Sequence, residues 1–129
     1  MNTHVQIQFD QPGMAALLET ADEAALNALG FGVIGFGLDG RVQRYNTFES
    51  KAAGLGVERV LDQDLFTVIA PCMNNFLVAQ RFADAHNGGE HLDDTISYVL
   101  TLRMRPTKVK LRLLSAPAAP LSYVLVHRL

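Results

Sequence analysis

Apolar and polar positions alternate through much of this chain. Ile96, Tyr98, Leu100, Leu102 and Met104 fall on one side, and Thr95, Ser97, Val99, Thr101 and Arg103 on the other. That period of two predicts a β-strand. Arg105-Pro106-Thr107 turns the chain. Val109, Leu111 and Leu113 then alternate with Lys108, Lys110 and Arg112, which predicts a strand with one dry and one wet face. Ala116 to Pro120 reads as the next turn, and Leu121 to His127 as the last strand. Earlier, Gly32 to Leu38 alternates as well, with Ile34, Phe36 and Leu38 against Val33, Gly35 and Gly37. Glycines on one face predict that something packs closely there. Asp39-Gly40 is a two-residue hairpin signal, and Arg41 to Tyr45 is the returning strand.

Helical patterns fill the rest. Met14 to Leu18 and Ala24 to Leu29 are rich in Ala and Leu, and Gly30 stops the second run. Asn46 opens a short helix that Gly54 and Gly56 end. Asp62 or Asp64 caps a further turn carrying Leu65, Phe66, Val68 and Ile69, and Pro71 ends it by biasing Ala70 toward an extended conformation. Phe76, Ala79, Phe82, Ala83 and His86 form a stripe at helical spacing, predicted to face the core, before Asn87-Gly88-Gly89.

This order predicts an α+β fold: a five-stranded antiparallel sheet with helices on one side and an N-terminal helical cap. A single domain spans 1–129, with 1–30 as cap and 31–129 as core. The arrangement resembles the PAS sensory domain, in which a pocket lies between sheet and helices.

Composition narrows the function. With 49% apolar and 19% charged residues, 129 residues suffice for one soluble domain with a real core. Net charge is −2, and no aromatic residues interleave with the Arg103–Arg112 basic positions, so nucleic acid is not an expected partner. No run of 18 apolar residues is present, which excludes a membrane helix. One cysteine and no visible secretory signal favour a cytoplasmic setting. The four histidines are scattered, so no metal site is expected.

Three residue types beside turn signals remain: Tyr45, Glu49 and Cys72. Each has an ordinary explanation. A lone cysteine is commonly a small buried hydrophobe. An aromatic residue at a strand end commonly packs in the core. Asn46-x-x-Glu49 is close to a capping box, in which the acid would reach back to Asn46. The alternative has the Glu49 carboxyl pointing inward to a pocket shared with Tyr45, and local sequence leaves both open.

Residue by residue, the chain resembles the photoactive yellow protein family from about Leu26 to its end. Phe31-Gly32-Val33-Ile34, Asp39-Gly40, Tyr45-Asn46, Glu49, Ala70-Pro71-Cys72, Met104 and Pro106-Thr107-Lys108-Val109-Lys110 all fit in order. The resemblance implies a blue-light photoreceptor, not an enzyme. It implies trans-p-coumaric acid (4-hydroxycinnamic acid) bound as a thioester on Cys72. Tyr45 and a protonated Glu49 would donate to its phenolate, Met104 would assist thermal return, and Ile34 would belong to the pocket wall. Light would isomerise the chromophore from trans to cis, Glu49 would protonate the phenolate, and the cap would loosen to signal an unidentified partner.

Two departures stand out. Ala53 occupies the place of a threonine that supports the tyrosine in the family, and Leu55 that of a shielding arginine. Their loss predicts a weaker phenolate and some neutral chromophore in the dark. Two other readings stay open: a chromophore-free PAS module for ligand binding or dimerisation, and a thiol enzyme using Cys72 with His86 or His91.

Overall fold

The computed structural model describes residues 7–101 and 105–129. Five strands make one antiparallel sheet in the order β2-β1-β5-β4-β3. These are β1 (Gly32–Phe36), β2 (Val42–Tyr45), β3 (Leu92–Leu100), β4 (Thr107–Ser115) and β5 (Ser122–Arg128). β5 is central in the sheet and apolar on both faces, with Tyr123 to Val126 all buried.

Each face of the sheet carries its own core. On one side, Ile34, Val109, Leu111, Leu113, Val124 and Val126 pack against the helical middle of the chain. That middle comprises α3 (Thr47–Ala53), α4 (Val57–Val60), a π-helical turn at Leu65–Ile69, a 3-10 turn at Pro71–Met73 and α5 (Ala79–Gly88). On the other side, Val33, Leu114, Tyr123 and Leu125 pack against the cap, α1 (Met14–Thr20) and α2 (Glu23–Asn27). The predicted α+β architecture and its cap are therefore present, with the cap on the face opposite the other helices.

Several elements differ locally from the pattern. The hairpin loop is three residues, not two. Gly37 N donates to Arg41 O and Gly40 N to Gly37 O, with Gly40 at φ 82 closing a turn-plus-bulge geometry. β3 begins at Leu92, ahead of the predicted Thr95, and continues the same alternation. Its predicted extension through Leu102 and Arg103 to Met104 lies outside the described residues. Phe76 is not core. It is 76% exposed, because the helix starts only at Ala79. The Asn75 side chain instead takes up the amides of Leu77 and Val78, and Phe82 and Ala85 are the buried residues of α5.

Arg112 is the largest correction. The pattern put it on a wet face, yet it is 5% exposed. The cap covers that end of β4. Arg112 donates to the Phe9 and Gln11 carbonyls at 3.0 and 2.8 Å and grips Asp93 through Nε and Nη2. A second arginine does similar work near the other edge: Arg44 donates to Leu18 O, to Ala21 O and to the Tyr123 hydroxyl. Gly35 lies under Tyr123, where a Cβ would come within 2.8 Å of the ring. This is the close packing that the glycine face predicted.

Candidate functional site

Asn46 organises the floor of the site. It caps α3, its Oδ1 accepting from Glu49 N at 3.1 Å and from Val33 N at 3.0 Å. Its Nδ2 donates to the Leu26 and Phe31 carbonyls. One buried amide thereby ties together β1, α3 and the cap. The Glu49 side chain does not close the capping box. It turns inward, 2% exposed, the second of the two readings the sequence left open.

Its carboxylate meets a cation there. Arg128, at the end of β5, donates Nη1 to Oε1 at 2.8 Å and Nη2 to Oε2 at 3.0 Å. This two-pronged pairing is the strongest form of a side-chain ion pair. Sequence reasoning expected a protonated Glu49 and overlooked Arg128. The signal was present: Val124, Val126 and Arg128 share parity on β5, so the arginine continues an inward-facing row. Hydrogen bonding to Glu49 raises the Arg128 pKa above its ordinary value.

Tyr45 ends β2 beside this pair. Burial pushes its phenol well above the ordinary tyrosine range; the Glu49 charge adds to that rise and Arg128 opposes it. Tyr45 thus stays a neutral O–H donor at any ordinary pH.

Tyr45 and Glu49 line one apolar cavity with Ile34, Ala53, Leu55, Ile69, Ala70, Met73, Leu100 and Val126. Its volume is about 10 Å³, close to the minimum for a single water. Cys72 stands just beyond, between Ala70 and Met73, partly exposed and packed against the same core. Its carbonyl is pinned from two sides, by the Tyr98 hydroxyl at 2.5 Å and by Asn75 Nδ2 at 3.2 Å. Met104 lies outside the described residues. Of the predicted site, the structure therefore brings together Tyr45, Glu49 and Ile34, with Cys72 adjacent.

The backbone leaves no slack beside the carboxylate. A Cβ on Gly32 would sit 2.0 Å from Glu49 Oε1. Gly32→Ala must displace the buried carboxylate and is expected to cost about 1–3 kcal/mol, the usual range for overpacking. Urea denaturation checks this, and an unchanged midpoint would show that the carboxylate relocates freely.

A phenol and a carboxyl on one apolar cavity, with a thiol on the adjoining turn, match in kind what a phenolic acyl group needs. The volume does not match. Leu55 and Ile69 stand among the cavity's walls, and Arg128 engages both Glu49 carboxylate oxygens. Among the described residues there is no cluster that could hold a metal ion, and no helix is long and apolar enough to cross a membrane.

A pocket between a five-stranded antiparallel sheet and short helices, in the order seen here, defines a PAS-fold sensory domain. The PAS domain of the quorum-sensing receptor RpfR from Cronobacter turicensis, solved in complex with BDSF, shares this fold with a TM-score of 0.59 at 14% identity, over 77% of this chain and 93% of that one. Agreement is much closer with the photoactive yellow protein domain of the sensor histidine kinase Ppr from Rhodospirillum centenum. There the TM-score is 0.79 at 30% identity, covering 87% of this chain and 97% of that one. Photoactive yellow protein from Halochromatium salexigens is 28% identical over 95% of this chain and 98% of its own length. No family model matches. The chain belongs to the photoactive yellow protein family.

Proposed function

We propose that this chain is a blue-light photoreceptor carrying trans-p-coumaric acid as a thioester on Cys72. The observation that carries the reading is the meeting of Tyr45 and Glu49 at one small apolar cavity next to the turn that carries Cys72, in a chain of this family. When bound, the group supplies absorption of blue light and isomerisation about its double bond.

The chain's own residues supply the rest. The Cys72 thiol is the attachment point, on a 3-10 turn whose backbone Tyr98 and Asn75 hold still. Tyr45 offers a phenolic O–H, and Glu49, once protonated, a carboxylic one. A buried anion needs both, since charge without hydrogen bonds is costly in an apolar cavity. After isomerisation Glu49 gives up its proton from Oε and is left a buried carboxylate. The pairing with Arg128 seen here is the arrangement such a carboxylate would adopt. Arg128 adjoins His127, whose ring lies 5.3 Å from that of Phe9 in the N-terminal segment. A shift of this strand end is a direct route to loosening the cap, which we take as the signal to a downstream partner in the cytoplasm.

The second reading is a PAS module without chromophore, for ligand binding or dimerisation. The small cavity and the committed Glu49 carboxylate favour it. One experiment separates the two. Purified protein is incubated with activated p-coumaric acid, with Cys72→Ala alongside. A visible band that bleaches in blue light, recovers in the dark and is absent from the variant establishes the photoreceptor. No band, with Cys72 free by mass spectrometry, leaves the ligand-binding module.

A further inference from the structure

We propose that Arg128 is the resident counter-ion of the pocket: it holds Glu49 as a carboxylate in the ligand-free protein, and it balances whichever acid carries the negative charge once a phenolic ligand is seated. The first half stands on geometry alone. Both carboxylate oxygens are occupied by one guanidinium at 2.8 and 3.0 Å, with Glu49 2% exposed. The second half rests on the photoreceptor reading.

Charge balance carries the argument. The groups facing Glu49 inside are Tyr45 from β2 and Arg128 from β5. Outside, Lys51 from α3 and Arg105 line the groove into which the Arg128 side chain opens. Tyr45 keeps its proton, so the ligand-free pocket holds one negative charge, on Glu49, and one positive charge, on Arg128. A phenolic ligand that entered neutral would leave the charge sum unchanged, whether its proton stayed on its own oxygen or resided on Glu49 Oε. No proton enters or leaves, the pocket still carries one negative charge, and Arg128 still neutralises it. The Arg128 charge is already felt at the Tyr45 phenol, the kind of group it would act on in a ligand. Leu55, which also lines the cavity, leaves the family's usual cation missing, and Arg128 supplies one from β5. With that cation present, the neutral chromophore fraction expected from Ala53 and Leu55 shrinks.

Infrared spectroscopy of the ligand-free protein tests the first half without any chromophore. Wild type is expected to lack the carbonyl band of a buried protonated carboxylic acid. Arg128→Met is expected to gain it, Arg128→Lys to lack it, and Arg128→Met with Glu49→Gln to lose it again. A band already present in wild type, or no band in a folded Arg128→Met, overturns the proposal. The Lys variant keeps the test usable if the Met variant does not fold: it overturns the proposal by showing the band. The second half is read by acid titration of dark-state absorbance after loading. Arg128→Met is expected to raise the midpoint by about 1 pH unit, the low end for losing a neighbouring opposite charge. An unchanged midpoint overturns that half. Failure of the wild type to load defeats the photoreceptor reading and the second half with it, while the infrared result still decides the first.

Discussion

Asn46→Ala is expected to lower the stability of this protein by about 4 kcal/mol, roughly 1 kcal/mol for each of its hydrogen bonds. Those bonds run to Val33 N, Glu49 N, Leu26 O and Phe31 O, and Asn46 is 1% exposed. Water cannot replace them without opening the structure, so each stranded group keeps its desolvation cost. For a domain whose whole margin is about 5–15 kcal/mol, that is a large share. The melting midpoint should fall by about 10–20 °C. Asn46→Asp separates the two halves of the network. It keeps the acceptor for Val33 and Glu49 but turns a donor into a buried anion facing the Leu26 and Phe31 carbonyls. Its damage should therefore appear first in the cap, as faster amide exchange over α2. A midpoint within a few degrees of wild type for Asn46→Ala would show that the cap, β1 and α3 are held together by apolar packing alone.

Asn46 also shows what the sequence made legible. Its capping role could be read from Asn46-x-x-Glu49, because a cap is a local device. Its bonds to Leu26 and Phe31 could not, because they join segments 20 and 15 residues apart. The same line divides the other residues. The alternation of β3, the cap at Asp64 (one of the two candidates, with Asp62) and the break at Pro71 are set by nearest neighbours, and these are found where the pattern puts them. Arg112 and Arg128 were misjudged or missed because their burial depends on what covers a strand face from elsewhere in the chain. Both had a usable signal in parity. Leu114 follows Arg112 on its face, and Val126 precedes Arg128 on its own; a charged residue in line with buried apolar ones calls for a buried partner. For Glu49 the inward direction was one of two open readings, but its partner was not foreseen, so its charge was assigned from the family resemblance. The Phe76 stripe failed for a simpler reason. Helical spacing was counted from a residue that precedes the helix, and Asn75 sets the true start by binding the amides of Leu77 and Val78.

Arg112→Met is expected to release the N-terminal segment while leaving the sheet folded. The arginine side chain is 7% exposed and places four hydrogen bonds: two on Asp93 and one each on the Phe9 and Gln11 carbonyls. Methionine keeps much of the apolar stem and removes every donor. The carbonyls freed at Phe9 and Gln11 belong to a terminal segment that can swing into water, so the loss should appear as local opening, not global unfolding. Proteolytic nicking between Gln8 and Gly13, or amide exchange through α1, should rise at least tenfold, equivalent to about 1.4 kcal/mol of local stability. The pH dependence follows from Asp93. Hydrogen bonding from Arg112 lowers its pKa below the unfolded value of 3.8, against an opposing contribution from burial. A depressed carboxylate pKa stabilises the fold fully above the unfolded value, and that contribution disappears as pH falls through the folded one. Global stability of wild type should therefore carry this contribution unchanged from neutral pH down to about pH 4 and lose it below. Arg112→Met should lack that acid-dependent loss. If the variant opens no faster than wild type at neutral pH, the cap is held by Met14, Leu18 and Phe31 against the sheet, and the arginine clamp is incidental.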